Sequence, residues 1–347
     1  MLKKLIGRLA RPNHTWKRFF NGCLNYAAKK MALPFVPGMP ESVLIEPTDA
    51  CNLRCPLCPT GAGVRQRPTG SMSLENFCRI IDEIAPSVYG IALSNYGEAF
   101  LNRDLTAMIR YAKAKGLEVN CVTNAQSIGP QEALEIVEAG LDVLTVSLDG
   151  YDQQSYAAYR VGGEFSKVVE GLRLIKEQKA AQKRTAPVVV AQCIVMKQNE
   201  AHLGEIEKLA RELGAQRLVL KRLCDLRAFP ASLDGMKELL PRDPKYRAYT
   251  QGEDGSVRWN VAAADRDFCP LAWDFPAINW DGTLFPCCFI CDGLAMGNVF
   301  ESGFAAAWNS PRFRQLRAQI KKGKGALPVC GRCAVNFYGE LIRGIEL

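Results

Sequence analysis

The stretch Val43-Leu-Ile-Glu-Pro-Thr-Asp-Ala-Cys51-Asn-Leu-Arg-Cys55-Pro-Leu-Cys58 decides the fold, because an apolar run leads directly into three closely spaced cysteines. Their spacing is C-x3-C-x2-C, and three thiolates on one loop can hold three corners of a [4Fe–4S] cube. No fourth cysteine lies nearby, so the remaining iron would stay open to a small molecule. A structural zinc site is the alternative, but zinc takes four close ligands and His14 is far away in sequence.

Around this motif, residues 41–221 alternate short apolar runs with longer amphipathic stretches, which is typical of a parallel sheet wrapped by helices. The predicted strands are Val43–Glu46, Gly90–Ser94, Glu118–Val122, Val143–Leu148, Val188–Val195 and Arg217–Lys221. The predicted helices are Leu74–Ile84, Asp104–Lys115, Pro130–Ala139, Phe165–Gln178 and Glu200–Leu213, several of them ending at a glycine. Six units are too few for an eight-stranded barrel. We therefore expect an α/β fold, a partial (β/α)6 TIM-like barrel with its site at the carboxyl ends of the strands.

The cysteine spacing and its place after the first strand resemble the radical S-adenosylmethionine (radical SAM) superfamily. In that family the amino and carboxylate groups of S-adenosyl-L-methionine (SAM) bind the open iron, and reduction splits SAM into methionine and a 5′-deoxyadenosyl radical. The resemblance implies that Cys51, Cys55 and Cys58 hold a SAM-binding [4Fe–4S] cluster. One departure is Leu57, which stands where the family usually has an aromatic residue.

Further polar residues resemble the family's SAM-contacting positions. Asn95-Tyr96-Gly97-Glu98 is similar to its Gly-Gly-Glu motif, with Tyr96 in the place of the first glycine and Glu98 expected to receive the SAM ammonium. The residues expected around the ribose and carboxylate of SAM are Asn124, Ser147, Asp149 and Arg160. Taken singly, Ser147 to Gly150 could be an ordinary turn and Arg160 a surface charge.

The C-terminal cysteines form a second group. Cys269, Cys287 and the pair Cys330 and Cys333 resemble the SPASM and twitch extensions of radical SAM enzymes, which implies one auxiliary [4Fe–4S] cluster bound by these four thiolates. A zinc ribbon is the alternative, since four cysteines in two groups also suit zinc. Cys288 and Cys291 are surplus: one could replace a ligand or donate hydrogen to a substrate radical, and otherwise both are packing residues.

The domains expected are a basic amphipathic segment over 1–40, the barrel over 41–221, a linker or lid without regular elements over 222–268, and the iron–sulfur module over 269–347. In Met1 to Ala10 the apolar residues share one helical face, and basic residues including Arg18 follow. This segment could rest on an anionic membrane surface or pack on the open edge of the barrel. Within 269–347, Asp281-Gly282 predicts a hairpin turn.

Composition narrows the function. Fourteen cysteines in a chain without a predicted secretory signal or spanning segment indicate a cytoplasmic metalloprotein, peripheral at a membrane surface if the first segment binds lipid. The chain has only two histidines, which disfavours both Cys/His zinc sites and hydrolysis by a Ser-His-Asp triad. A net charge of +8 suggests an acidic substrate, carrier or surface, and no specific nucleic-acid binding.

The resemblance implies a radical SAM oxidoreductase that takes hydrogen from an unactivated C–H bond, with electrons from a low-potential donor such as flavodoxin or ferredoxin. The substrate radical would then lose an electron to the auxiliary cluster, giving dehydrogenation, or regain hydrogen, giving epimerisation. We expect a carbohydrate-like small molecule as substrate, with a peptide as the alternative. A non-enzymatic carrier with two clusters is the alternative of another class, although a carrier needs no large substrate cavity.

Overall fold

A computed structural model describes residues 13–65, 67–223, 238–247, 249–251, 257–259, 268–289, 293–330 and 341–347. Of the residues singled out above, Cys291, Cys333 and the segment Met1 to Ala10 lie outside this described part.

The predicted barrel strands are all present. They are β1 (Ser42–Ile45), β2 (Gly90–Leu93), β3 (Glu118–Thr123), β4 (Val143–Ser147), β5 (Val188–Val195) and β6 (Arg217–Arg222). They pair in parallel and in sequence order, each with its neighbour. The two end strands do not pair with each other, so the prediction of an open, partial barrel is confirmed.

Helices cover the outer face of the sheet. After α1 (Trp16–Lys30), the helices of the barrel are α2 (Leu74–Ile84), α3 (Leu105–Ala114), α4 (Pro130–Ala139), α5 (Gln153–Ala157), α6 (Phe165–Ala181) and α7 (Leu203–Glu212). The predicted glycine ends are found: Gly116, Gly140 and Gly214 all adopt positive φ angles, which glycine tolerates because it lacks a Cβ atom. The predicted helix from residue 200 is in two parts, since Glu200–His202 forms a 3₁₀ turn ahead of α7.

Side chains alternate between the two faces of the barrel strands. Those on the outer face pack with the helices in the main core, for example Val119, Cys121, Leu144 and Val146. Because successive strand residues point to opposite faces, the residues between them face the barrel interior. The strands therefore divide into an apolar outer face and an inner face available to a site.

The C-terminal part of the chain extends this sheet at both ends. It comprises α8 (Leu271–Asp274), β9 (Ala277–Ile278), β10 (Thr283–Phe285), β11 (Gly297–Asn298), α9 (Val299–Ser302), α10 (Phe304–Trp308), α11 (Pro311–Lys321) and β12 (Leu341–Glu346). Strand β9 pairs in parallel with β1, and β10 and β11 follow it. At the other end, β12 pairs antiparallel with β6. The iron–sulfur module is thus continuous with the barrel sheet, a connection that the sequence did not predict.

The expected hairpin between β9 and β10 is confirmed. Gly282 supplies the positive φ of its turn, and Leu284 pairs with Ile278. The expectation that 222–268 holds no regular element is wrong. Strands β7 (Tyr249–Gln251) and β8 (Val257–Trp259) pair antiparallel in a separate sheet, and Pro244–Tyr246 forms a 3₁₀ turn.

Helix α1 packs against the barrel through polar groups. The Arg18 guanidinium is buried and donates to the carbonyl oxygens of Ala85, Gly116 and Lys115 at 2.7–3.2 Å. The Asn25 amide donates to the Trp273 carbonyl oxygen at 2.7 Å. Arg18 is therefore turned away from solvent, because its guanidinium is bonded to buried carbonyl oxygens.

Replacing Arg18 with Ala should lower the free energy of unfolding by about 3 kcal/mol, because several buried carbonyl oxygens lose a charged donor. The matched control is Lys17→Ala, which changes the exposed neighbouring residue and should cost less than about 0.5 kcal/mol. Urea unfolding of both variants followed by circular dichroism measures the difference. Equal midpoints for the two variants would contradict this account of how α1 is held.

Candidate iron–sulfur and S-adenosylmethionine site

The three cysteines of the first group lie on the loop that follows β1. The backbone of this loop is bonded to two other loops of the same edge: Arg54 N donates to Val161 O at 2.9 Å, and Glu98 N donates to Ala50 O at 2.8 Å. Parallel strands bring their carboxyl ends to one edge of a sheet, which is why loops far apart in sequence meet here. The cysteine loop is thus held by the loops after β2 and β4.

Each of the three sulfurs lies beside one residue of the predicted SAM-contacting set. The Asn124 side chain donates to Cys51 Sγ at 3.9 Å, and Arg160 Nη1 donates to Cys55 Sγ at 3.7 Å. Cys58 Sγ lies 4.0 Å from the carbonyl oxygen of Tyr96. The segments that carry Tyr96, Asn124 and Arg160 therefore converge on the cysteine loop, although Arg160 lies 105 residues after Cys55 in the sequence.

The donor set fits an iron–sulfur cluster. Soft thiolates are the ligands that such clusters take, and N–H donors directed at sulfur stabilise its anionic form. No three His, Cys, Asp or Glu side chains among the described residues converge on a single metal-ion position. In a [4Fe–4S] cube each thiolate binds a different iron, so its ligands need not meet at one point.

Burial governs the protonation of these thiols. Desolvation raises the pKa of Cys51 to about 11, and it also raises the pKa of Cys55 although the Arg160 guanidinium works in the opposite direction. Both thiols are therefore protonated near neutral pH before they bind metal. Cluster binding requires thiolates, so loading the site releases protons.

An apolar wall surrounds the cysteine loop. Leu57, the residue in the family's usual aromatic position, is fully buried. It belongs to a hydrophobic cluster with Leu53, Tyr159, Met196 and Leu223. These side chains exclude water from one side of the loop, which is what an aromatic residue at position 57 would otherwise help to do.

The segment after β2 is packed tightly against the cysteine loop. A Cβ atom at Gly97 would overlap the carbonyl oxygen of Thr48 and the Cα of Asp49, so only glycine fits this position. The next residue, Glu98, is buried, and burial raises its pKa. Its carboxylate accepts from Thr123 Oγ1 and Asn124 N, both at 2.7 Å.

Glu98 also accepts from Phe100 N at 3.3 Å. A carboxylate has about four acceptor positions, so three internal bonds leave room for one more donor. Its predicted bond to the SAM ammonium stays a prediction. The internal bonds mean that Glu98 also ties the loop after β2 to the loop after β3.

Asp149 and Arg160 form a buried ion pair beside Cys55. Arg160 Nε lies 2.5 Å from Asp149 Oδ2, and Asp149 Oδ1 accepts from Ile194 N at 2.7 Å. Although burial alone would lower the pKa of Arg160, Asp149 and Cys55 raise it well above its ordinary value. The alternative in which Arg160 is a surface charge is wrong. Ser147 is buried at the end of β4, on the inner face, and its contact with SAM stays a prediction.

Two further buried salt bridges were not predicted from the sequence. Arg67 Nη2 lies 2.7 Å from Glu46 Oε2, at the end of β1, and Arg65 Nη1 lies 2.6 Å from Asp49 Oδ2. They fasten the segment that follows the cysteine loop to the segment that precedes it. Glu46 also accepts from Trp280 N at 3.3 Å, which links the C-terminal hairpin to this edge. In the sequence, the sign of these salt bridges was two basic residues shortly after the cysteine motif.

The C-terminal cysteines differ in their surroundings. Cys287 and Cys330 are buried in the main core, and Cys269 packs against it. Desolvation raises the pKa of the Cys269 thiol, which the nearby Lys324 ammonium partly offsets. Cys288 instead packs against Leu44, Ala277 and Phe285 in a separate apolar cluster. Cys333 lies outside the described residues, and the ligand roles of the four cysteines stay predictions.

The inner face of β3, β4 and β5 carries neutral hydrogen-bonding side chains, and that of β6 carries Lys221. The neutral side chains alternate with the outer core residues along β3, β4 and β5 and comprise Asn120, Thr145, Ser147 and Gln192. Ser147 and Gln192 are paired neighbours across two strands. Asn120 Oδ1 is buried without a hydrogen-bond partner in the described structure, as is Asn279 Nδ2 beyond β9. Unpaired buried polar atoms of this kind suit the donors and acceptors of a ligand.

Comparison with known proteins agrees with this geometry. The family model of the radical SAM superfamily matches residues 45–210, and that of the SPASM iron–sulfur cluster-binding domain matches residues 269–334. The AdoMet-dependent heme synthase of Methanosarcina barkeri is 25% identical, with 86% of this chain and 92% of the relative covered.

Two solved structures show the same fold at low identity. BtrN in complex with AdoMet and 2-DOIA has a TM-score of 0.52 at 15% identity, with 87% of this chain and 98% of that one covered. Streptococcus suis SuiB bound to the precursor peptide SuiA has a TM-score of 0.61 at 14% identity, with 91% and 77% covered. The matches of the two family models confirm the predicted cofactors, which are SAM, a first [4Fe–4S] cluster and an auxiliary [4Fe–4S] cluster.

Replacing Gly97 with Ala should weaken SAM binding at least tenfold and destabilise the protein by about 3 kcal/mol, because the new Cβ displaces the loop after β2 from Thr48. Gly204→Ala is the matched control, since a Cβ there meets nothing within 4 Å. Calorimetric titration with SAM and thermal unfolding provide the two measurements. Wild-type affinity and stability in Gly97→Ala would show that the loop can move without consequence.

Proposed function

This chain belongs to the radical SAM superfamily and carries a SPASM domain, and from that premise we propose that it dehydrogenates a small polyhydroxylated molecule of carbohydrate type. The observation that carries the proposal is the row of neutral hydrogen-bonding side chains on the inner face of β3, β4 and β5. When bound, the first cluster and SAM would supply a 5′-deoxyadenosyl radical able to take hydrogen from an unactivated C–H bond.

The residues of the cysteine loop would hold and shield that cofactor pair. Cys51, Cys55 and Cys58 would be the cluster ligands, with Asn124 and Arg160 directing N–H groups at two of the sulfurs. The apolar wall that includes Leu57 would keep water away from the reacting atoms. Glu98, with one acceptor position to spare, would receive the SAM ammonium.

The inner face would bind and orient the substrate. Amide and hydroxyl side chains such as Asn120, Thr145 and Gln192 exchange hydrogen bonds with hydroxyl groups at no cost of burying an unpaired charge. Two carboxylates at this edge of the sheet are already in ion pairs, Glu46 with Arg67 and Asp149 with Arg160. This favours a neutral polyol over a multiply charged substrate.

Dehydrogenation is proposed ahead of epimerisation because the C-terminal module would supply an acceptor for the substrate electron. Epimerisation needs an S–H group that returns hydrogen to the substrate, and an external reductant that then restores the thiol. Cys288 packs with Phe285 and with Leu44, which lies on the inner face of β1, so it would be the donor if the reaction were an epimerisation. The C-terminal thiols Cys269, Cys287, Cys330 and Cys333 would hold the group that accepts the substrate electron.

A peptide is the second candidate substrate. It is supported by the similarity in fold, over 91% of this chain, to SuiB, whose structure was solved with the precursor peptide SuiA bound. A peptide would use the same cofactor site, so the two candidates differ in what the inner face binds. Electrons would come from a low-potential donor such as flavodoxin or ferredoxin in either case.

Anaerobically reconstituted protein should hold about eight irons, and the triple change of Cys51, Cys55 and Cys58 to Ala should remove about half of them. That variant should form no 5′-deoxyadenosine from SAM and dithionite, because the ligands of the first cluster are gone. Iron analysis and chromatography of the nucleoside test both points. An iron content of four in the wild type, or continued SAM cleavage by the variant, would overturn the assignment.

Removing one inner-face hydroxyl should weaken substrate binding without affecting SAM cleavage. Thr145→Val keeps the shape of the side chain, so the KM for a stimulating polyol should rise about tenfold while basal 5′-deoxyadenosine formation stays unchanged. The matched control is Thr106→Val on the outer helix α3. A panel of hexoses, aminocyclitols and short peptides, scored by stimulated nucleoside release, identifies the substrate class.

The product then separates the two reactions. A product two hydrogens lighter than the substrate, without deuterium from heavy water, is expected for dehydrogenation. Solvent deuterium at the reacting carbon of a product of unchanged composition would establish epimerisation instead. Stimulation by peptides alone would reject the carbohydrate proposal while leaving the cofactor site intact.

A further inference from the structure

Helix α1 has the reverse of the usual amphipathic arrangement. The residues that it turns toward the protein are Arg18, Gly22, Asn25 and Ala28, which are polar or small. On the opposite side, Trp16, Phe20 and Leu24 expose 66%, 61% and 48% of their surface. These three are spaced by four residues, so they form one stripe along the helix. A helix that merely covers the barrel would bury such side chains.

Two more exposed apolar residues follow the end of the helix. Met31 is 56% exposed and Phe35 is 49% exposed. We call Trp16, Phe20, Leu24, Met31 and Phe35 the aromatic patch. Large apolar side chains exposed together on one short segment indicate an interaction surface.

Positive charge surrounds the aromatic patch. Lys17 and Lys30 are exposed on α1, and the Arg314 guanidinium lies 5.0 Å from the centre of the Phe35 ring. The first 40 residues contain eight Lys and Arg and neither Asp nor Glu. They therefore account for the whole net charge of +8, and the remaining 307 residues carry as many acids as bases. The excess charge thus lies in the same stretch of sequence as the aromatic patch, and two of its basic residues, Lys17 and Lys30, are exposed on α1.

We propose that the aromatic patch docks the protein on an anionic lipid surface. Trp and Phe side chains favour the boundary between headgroups and acyl chains, and each nearby Lys or Arg adds attraction to anionic headgroups. No helix among the described residues is long and apolar enough to cross a bilayer. The contact proposed is therefore a peripheral one, and it is independent of the substrate proposed above.

The charge distribution disfavours the other occupants. In a two-fold dimer the patch would face a copy of itself, which would bring two clusters of Lys and Arg together. A nucleic acid would be attracted by the charges, but an apolar stripe makes no contact suited to a phosphate backbone. An anionic bilayer satisfies both the apolar and the basic side chains at once.

The helix that carries the patch is firmly joined to the rest of the molecule. Besides the Arg18 and Asn25 contacts, Lys29 Nζ lies 2.5 Å from Asp274 Oδ2 at the end of α8. Binding through α1 would consequently hold the barrel and the C-terminal module against the surface as one unit. A lipid-linked or membrane-adjacent substrate would then be presented to an enzyme already in place.

The test is co-sedimentation of the full chain with vesicles of phosphatidylglycerol and phosphatidylcholine, compared with vesicles of phosphatidylcholine alone. Wild-type protein should bind the anionic vesicles at least tenfold more tightly, and added salt should weaken the binding. Trp16→Ser/Phe20→Ser/Leu24→Ser should lose at least tenfold in affinity, because the apolar anchors are gone. Lys17→Glu/Lys30→Glu should lose about thirtyfold or more.

The matched control is Lys167→Glu/Lys208→Glu, an equal charge reversal on α6 and α7, and it should bind like the wild type apart from a small effect of net charge. Iron content and circular dichroism verify that each variant is folded. Equal binding to neutral vesicles, an equal loss in the control, or full binding by the apolar triple variant would overturn the proposal. If the wild type does not bind vesicles, either of two results would also overturn the proposal. One is a dimer that the apolar triple variant fails to form, and the other is binding of the wild type to duplex DNA.

Discussion

The buried carboxylate of Glu98 is the group on which the arrangement of the site depends. A carboxylate taken out of water must be matched by donors, and here the donors come from β3 and the loop that follows it. Its own backbone N–H bonds Ala50, directly before the first cysteine. One residue therefore connects the cysteine loop, the loop after β2 and the end of β3. This connection brings Asn124 to Cys51.

Two buried ion pairs extend the same principle around the edge of the sheet. Asp149 and Arg160 join the loop after β4 to Cys55, and Glu46 and Arg67 join the end of β1 to the segment beyond the cysteines. Buried ion pairs add little net stability, because desolvation offsets most of their attraction. Their value here is geometric, since each pair has one arrangement that satisfies both partners.

The continuity of the sheet gives the C-terminal module its position. Strand β9 pairs with β1, the strand that leads into the cysteine loop, and Trp280 N bonds Glu46 at the end of β1. Cys287 follows β10 directly, so it lies two strands from β1 in the same sheet. At the other end, β12 covers β6, whose edge would otherwise present unpaired backbone groups.

The sequence by itself determined the local features of this protein: the spacing of Cys51, Cys55 and Cys58, the strands and helices of the barrel, and the glycines that end the helices. These depend on residues close together in the chain, and their periodicity and chemistry are visible without a structure. The burial of Arg18, the ion pairs of Arg65 and Arg67, and the pairing of β9 with β1 and β12 with β6 were decided by the tertiary structure. Some of these contacts join residues that are far apart in the sequence, as in the pairing of β9 with β1. Others, such as those of Arg18, depend on which side of a helix packs against the barrel. No local pattern distinguishes an arginine that meets buried carbonyl oxygens from one that meets water.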